Sequence, residues 1–247
     1  MTELRYLENT YLFESTARII NFWENEFWTY IILDSTIFYP QWWGQQTDTG
    51  DILVWDNIFT IHMVKLNEKW VVFHYGTLNN PSALQTASFN IKGSIVNLQI
   101  DWENRIKNSK NHTAWHLIDI AIHNIWLELT ATKGFHFQSG SYVQYTGIIE
   151  NLNEGTIKQD LIASINFELK KLISQDLNII VENWESDISN PDSPKWKSYR
   201  FVYFEWYKGV WCGCGWTHIK STWELWAVQI KKIRVKKGAI KVSYITS

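Results

Sequence analysis

Two short segments constrain the fold more than anything else in the chain. His112-Thr-Ala-Trp-His116 and Cys214-Gly-Trp-Thr-His218 each place two ligand-type side chains four residues apart. Together they offer three imidazoles and one thiolate, a donor set suited to tetrahedral zinc. About a hundred residues separate the pairs. A zinc finger closes its ligands over a far shorter stretch, so a shared ion here has to join distant parts of a folded domain. Either pair alone is weak evidence, because two histidines at helical spacing recur by chance. Both together favour one site holding a single Zn2+, with the cysteine as thiolate and the imidazoles neutral. Cys212 is the alternative thiolate. Cys214 is preferred because only it makes the four-residue spacing to His218.

The rest of the chain places these pairs in context. Thr29–Leu33, Asp51–Val54, Phe59–Val64 and Trp70–His74 are β-branched or aromatic runs separated by turn residues, which predicts short strands in a small barrel or curled sheet. Ile91–Val96 reads as the last strand of that series. From about residue 104, Ala114, Leu117, Ile118, Ala121, Ile122 and Ile125 recur at helical spacing. Residues i and i+4 share a helix face, so His112 and His116 point one way. Residues 156–175 read as a second amphipathic helix. Tyr199–Tyr203 and Val228–Val235 read as strands, and Lys236-Lys-Gly238 turns the chain into a final hairpin with Ala239–Ile245. Asn190–Pro194 reads as a surface loop. The expected class is α+β: a β-barrel-like module over residues 1–100, then an α/β zinc-binding domain over 101–247.

Composition removes several function classes. The formal net charge of the 247-residue chain is -2, so it lacks a global basic footprint for nucleic acid, and such a partner would need a local patch. Lys231, Lys232, Arg234, Lys236 and Lys237 form the one basic edge, read from charge alone as a solvated hairpin face. No apolar run approaches the ~18 residues of a membrane span. The first residues lack a secretory pattern, and two cysteines one residue apart do not make a disulfide framework. A cytoplasmic location is expected. His123 reads as a surface or core histidine, whereas His136 follows the first motif closely enough to matter to the site.

Order, spacing and flanks together resemble the editing domain of alanyl-tRNA synthetase and the free-standing alanyl-tRNA editing (AlaX-type) proteins. The carriers are Phe38-Tyr-Pro-Gln-Trp-Trp-Gly-Gln-Gln-Thr-Asp-Thr-Gly50, Asp101-Trp-Glu-Asn-Arg105, His112-Thr-Ala-Trp-His-Leu-Ile118 and Cys214-Gly-Trp-Thr-His-Ile219. The resemblance covers about residues 28–245. It implies a zinc-dependent ester hydrolase that removes a wrong amino acid, chiefly serine and also glycine, from the tRNA for alanine, with no ATP, membrane or DNA involved. It implies His112, His116, Cys214 and His218 as ligands, and Gln45, Asp48 and Thr217 as catalytic or pocket residues. Thr132 and His136 would recognise the acyl group, and the basic hairpin would meet the RNA backbone. The rival expectations are a zinc-containing tRNA- or protein-binding relative without turnover, and editing of another aminoacyl-tRNA. One departure stands out. Tryptophan occupies positions 42, 43, 115, 216, 223 and 226, where the family commonly has glycine or another small residue. Trp126 also stands where a glycine is expected to end the first helix.

Overall fold

The structure, a computed structural model, describes residues 1–24, 28–41, 44–80, 91–152, 154–185, 198–208, 212–236 and 238–247. It is mixed α and β, mostly strands with two long helices. The chain divides into two compact units, Met1–Asn108 and Ser109–Ser247.

In the first unit, strands β1 (Glu3–Leu4) and β4 (Ser35–Thr36) form a short parallel pair. The remaining strands are β2 (Glu14–Glu24), β3 (Thr29–Leu33), β5 (Gly50–Val54), β6 (Asn57–Leu66), β7 (Val72–Leu78) and β8 (Ile95–Ile100). They close a six-stranded barrel in the order β2-β3-β7-β6-β5-β8, which removes every free edge. Alternate residues point inward, as the two-residue period of a strand requires. Ile31 and Leu33, Ile52 and Val54, and Phe59 and Ile61 fill the interior. Gly50 is obligatory where β5 meets β8, because a Cβ there would lie 2.2 Å from the Gln99 carbonyl oxygen.

One strand lies outside the expected series, and one expected strand is corrected. The longest barrel strand, β2, escapes a sequence reading because a register shift between Ile19 and Asn21 interrupts its alternation. The run expected as a strand at Ile91–Val96 is half turn. Ser94 N–H donates to the Ile91 carbonyl, Gly93 has a φ of 87°, and the strand begins only at Ile95.

Helix α1 spans Trp102–Asn124. The Asp101 carboxylate accepts from the Asn104 backbone N–H at 3.0 Å, an N-terminal cap. The helix ends in a Schellman arrangement. Trp126 N–H donates to the His123 carbonyl and Leu127 N–H to the Ile122 carbonyl, with Trp126 at a φ of 61°.

The second unit continues with β9 (Thr130–Phe135), β10 (Tyr142–Thr146), α2 (Gly155–Ser174), β11 (Ile179–Glu185), β12 (Ser198–Phe204), β13 (Cys212–Gly213), β14 (Val228–Lys236) and β15 (Ala239–Thr246). They make one sheet in the order β14-β15-β10-β9 and another in the order β11-β12-β13. The core joins Leu117, Ile118 and Ala121 of α1 to Ile165, Leu169 and Leu172 of α2 and to Val143, Ile233 and Val242 of the four-stranded sheet. The final hairpin is present as expected; β9, β10 and β11 are strands beyond those expected. Among the described residues, no helix is long and apolar enough to cross a membrane. The expected loop at 190–194 lies outside the described residues.

Candidate metal centre

His112 and His116 lie one helical turn apart on α1, so their rings meet on one face. Nε2 of His112 is 2.9 Å from Nε2 of His116. Cys214 Sγ lies 3.2 Å from the same His112 nitrogen and 3.3 Å from Nε2 of His218. The four donor atoms all fall within 4.8 Å of one another, every one of the four residues is buried, and the group could hold a metal ion.

The chemistry of the cluster fits such an ion. Burial, more than any other cause, holds His112 and His218 well below the usual imidazole range and brings His116 to about 4. Mutual repulsion among the rings and the Arg200 guanidinium add to the effect at His112 and His218, and Arg200 alone adds to it at His116. Neutral imidazoles are what a metal requires. Three such rings turned toward one sulfur also leave lone pairs facing one another, an arrangement that a cation converts from repulsive to attractive.

The supporting shell orients the donors. Thr113 Oγ1 lies 3.1 Å from Nδ1 of His218 and accepts from the Ile219 backbone N–H. A partner at Nδ1 leaves Nε2 for the cluster. Arg200, on β12, donates to the carbonyls of Cys214 and Trp216 at 2.7 and 3.0 Å, while Cys214 N–H donates back to the Arg200 carbonyl. This cation seats the Cys214–His218 loop beside its thiol. Nothing in the sequence reading singled it out; its one signal is a lone cation inside an aromatic, β-branched run.

His136 is brought to the cluster, with its ring centroid 5.2 Å from that of His112. Tyr244 Oη donates to the Asn111 carbonyl at 2.7 Å, so its contact of 2.6 Å with His136 Nδ1 has the histidine as donor. That chain leaves Nε2 as the lone-pair nitrogen, and it is buried with no hydrogen-bond partner. Burial pushes His136 down to about 3, so the ring is neutral. Gly134 makes room for it, since a Cβ there would lie 2.2 Å from Nε2.

The other expected residues are distributed differently. Thr217 is buried and accepts from Ser109 Oγ at 2.8 Å. Thr132 is exposed on β9 and donates to the Gln144 carbonyl at 3.1 Å. Gln45 is buried in the first unit. Asp48 is also buried there, and its carboxylate binds Arg105 through Nε and Nη2 and accepts from the Tyr39 N–H at 2.6 Å. These bonds commit Asp48 to holding the loop and α1 together. Lys231, Lys232, Arg234 and Lys236 are exposed on β14. The register shift between Ile230 and Lys232 turns two adjacent lysines outward. Lys237, Trp42 and Trp43 lie outside the described residues. His123 is exposed, and His74 is buried between Thr36 and the Ile31 carbonyl.

No family model matches the chain. It is 28% identical over 243 residues to the alanyl-tRNA editing protein AlaX-M of Pyrococcus horikoshii, an alignment covering 96% of this chain and 94% of that protein. The chain is similar to alanyl-tRNA editing proteins. The AlaX-L editing protein of the same organism is also 28% identical over 96% of this chain, which spans 55% of its length. The alanine–tRNA ligase of Methanococcus vannielii is 26% identical over 99% of this chain, which spans 26% of the ligase. The chain thus spans about half of one editing relative, about a quarter of the ligase and nearly all of the AlaX-M editing protein.

Proposed function

We propose that this chain hydrolyses the ester between a wrong amino acid, serine or glycine, and the tRNA for alanine. The observation that carries the reading is the convergence of His112, His116, Cys214 and His218 in a chain similar to editing proteins along 96% of its length. The chemical need is plain. An apolar alanine pocket rejects neither a smaller side chain nor one that merely adds a hydroxyl by a large factor, so a second, hydrolytic site has to do so.

The four residues would hold one Zn2+. When bound, it would supply Lewis-acid charge for the ester hydrolysis and tie α1 to the Cys214–His218 loop. The residues of the chain do the rest. Arg200 keeps the loop seated, and Thr113 orients His218. The unpartnered Nε2 of His136, its tautomer set by Tyr244 and Asn111, accepts a hydrogen bond from the hydroxyl or ammonium of the misplaced amino acid. Water adds to the carbonyl carbon, the bond to the ribose oxygen breaks, and the proton passes to that leaving oxygen. The products are a free amino acid and an uncharged tRNA, with no ATP consumed. Lys231, Lys232, Arg234 and Lys236 offer an exposed row for backbone phosphates.

The test is deacylation of seryl-tRNA for alanine alongside a zinc assay. Turnover with about one zinc per chain is expected. Bound zinc without turnover would assign the chain a binding role instead, and preference for seryl-tRNA for threonine would assign it another substrate.

A further inference from the structure

Among the described residues, six that are not glycine adopt a positive φ: Trp55, Trp70, Trp126, Trp206, Asn151 and Asp176. Asparagine and aspartate tolerate this region, whereas a bulky side chain there is an outlier. Tryptophan should be among the last residues found in it, yet it supplies four of the six.

The four share more than φ. Trp55 is the first of the two central residues of the β5–β6 hairpin, between the paired Val54 and Asn57. With its φ of 52° followed by a residue of ordinary φ, it takes the glycine place of a type II′ turn. Trp70 closes a turn by donating to the Asn67 carbonyl and has a φ of 57° just before β7, the glycine place of a three-residue hairpin. Trp126 is the left-handed residue of the Schellman ending of α1. Trp206 is the third residue of the turn in which Tyr207 N–H donates to the Phe204 carbonyl. Its φ of 71° is the glycine place of a type II turn. An indole normally compensates for its bulk by burial, but Trp126 and Trp206 are 91% and 83% exposed. The composition agrees, with 16 tryptophans against only 12 glycines in the whole chain.

We infer that the working protein carries glycine at residues 55, 70, 126 and 206, specified by UGA codons that the source cell reads as glycine. UGA is tryptophan in one variant genetic code and glycine in another, so a single codon accounts for all four places and for the confinement of the anomaly to tryptophan. Position 216 belongs to the same set by its packing. The Trp216 ring centroid is 4.3 Å from that of His112 and 5.5 Å from that of His136, so it fills space directly against the metal-type cluster. The loop around it is held through backbone atoms, by Arg200 on the Cys214 and Trp216 carbonyls. Glycine therefore preserves that seat while emptying the space. Neighbouring Trp115, whose ring stacks on His136, has a buried indole N–H without a hydrogen-bond partner. The consequence for position 216 rests on the editing reading; the assignment at the four turns does not.

Two measurements test the inference without using activity. The gene and the peptide masses of the protein isolated from its source cells are expected to show UGA and glycine at 55, 70, 126 and 206; UGG codons or tryptophan masses there would overturn it. A chain with glycine at all four positions is expected to unfold at a higher temperature than the chain with tryptophan, and an unchanged or lower Tm would also overturn it. Because neither readout involves tRNA, a failure of the editing reading leaves both intact.

Discussion

Nε2 of His112 faces Nε2 of His116 at 2.9 Å, inside a buried cluster completed by Cys214 and His218. His116 is one of the four donors that would hold the ion, and removing it leaves a gap in the buried ligand set. His116→Ala is therefore expected to lose bound zinc and deacylation together. Metal analysis of the purified variant beside the parent checks this, and retention of both metal and activity would remove His116 from the ligand set.

Asp48 and Arg105 form a second internal tie, within the first unit, with both side chains wholly buried. Arg105 also donates to the carbonyls of Thr10 and Ile37. Breaking a buried pair by deleting one member leaves an uncompensated charge and costs about 3–5 kcal/mol. Arg105→Ala should lower stability by that amount in urea unfolding. A loss below about 1 kcal/mol, the range of exposed pairs, would mean that the pair contributes no more than a surface one.

Trp216 packs against His112. Trp216→Gly is expected to raise kcat/KM for seryl-tRNA by at least about tenfold, the change that ~1.4 kcal/mol of restored transition-state access produces. Zinc content should stay unchanged, because the loop is held by its backbone. Lower activity at equal zinc would show the indole to be part of the site.

Stability should respond to pH in opposite directions at two titratable groups, Asp119 and His74. Burial raises Asp119 from 3.8 to about 7 against the opposing hydrogen bond from Tyr145. The native state then binds the extra proton, so Asp119 lowers stability as pH rises from about 4 to 7. Burial lowers His74 from 6.5 to about 4, opposed by its bond to the Ile31 carbonyl. There the native state excludes a proton, and stability is lost as pH falls from about 6.5 to 4. Asp119→Asn should remove the first slope and His74→Gln the second. Hydrogen exchange followed separately in residues 1–108 and 109–247 reads each; unchanged slopes would refute the assignments.

Lys231 and Lys232 are both exposed on β14. If they meet phosphates, replacing both by Ala should weaken tRNA binding and flatten the plot of log affinity against log salt by about one unit for each lysine. An unchanged slope would place the RNA elsewhere.

Much of this was legible in the residues alone. The β3 strand, the i,i+4 pairing on α1, the second helix and the final hairpin each follow from a local period, which depends on backbone geometry over a few residues. The β2 strand was not legible, because the bulge after Ile19 interrupts its period. Arg200 was hidden as well, because its value lies in carbonyls that reach it only after β12 and the Cys214 loop come together.

By itself, then, the sequence determined which side chains carry ligand chemistry and the local spacing that aims each pair. It also determined the surplus of tryptophan over glycine. Only the tertiary structure decided that donors 102 residues apart in sequence share one buried point, that Asp48 is committed to Arg105, and that four tryptophans occupy left-handed turns. The physical reason is the same throughout. Spacing along a helix or strand is set by bonds between near neighbours, whereas convergence and backbone handedness are settled by the packing of the core and the closing of the turns around it.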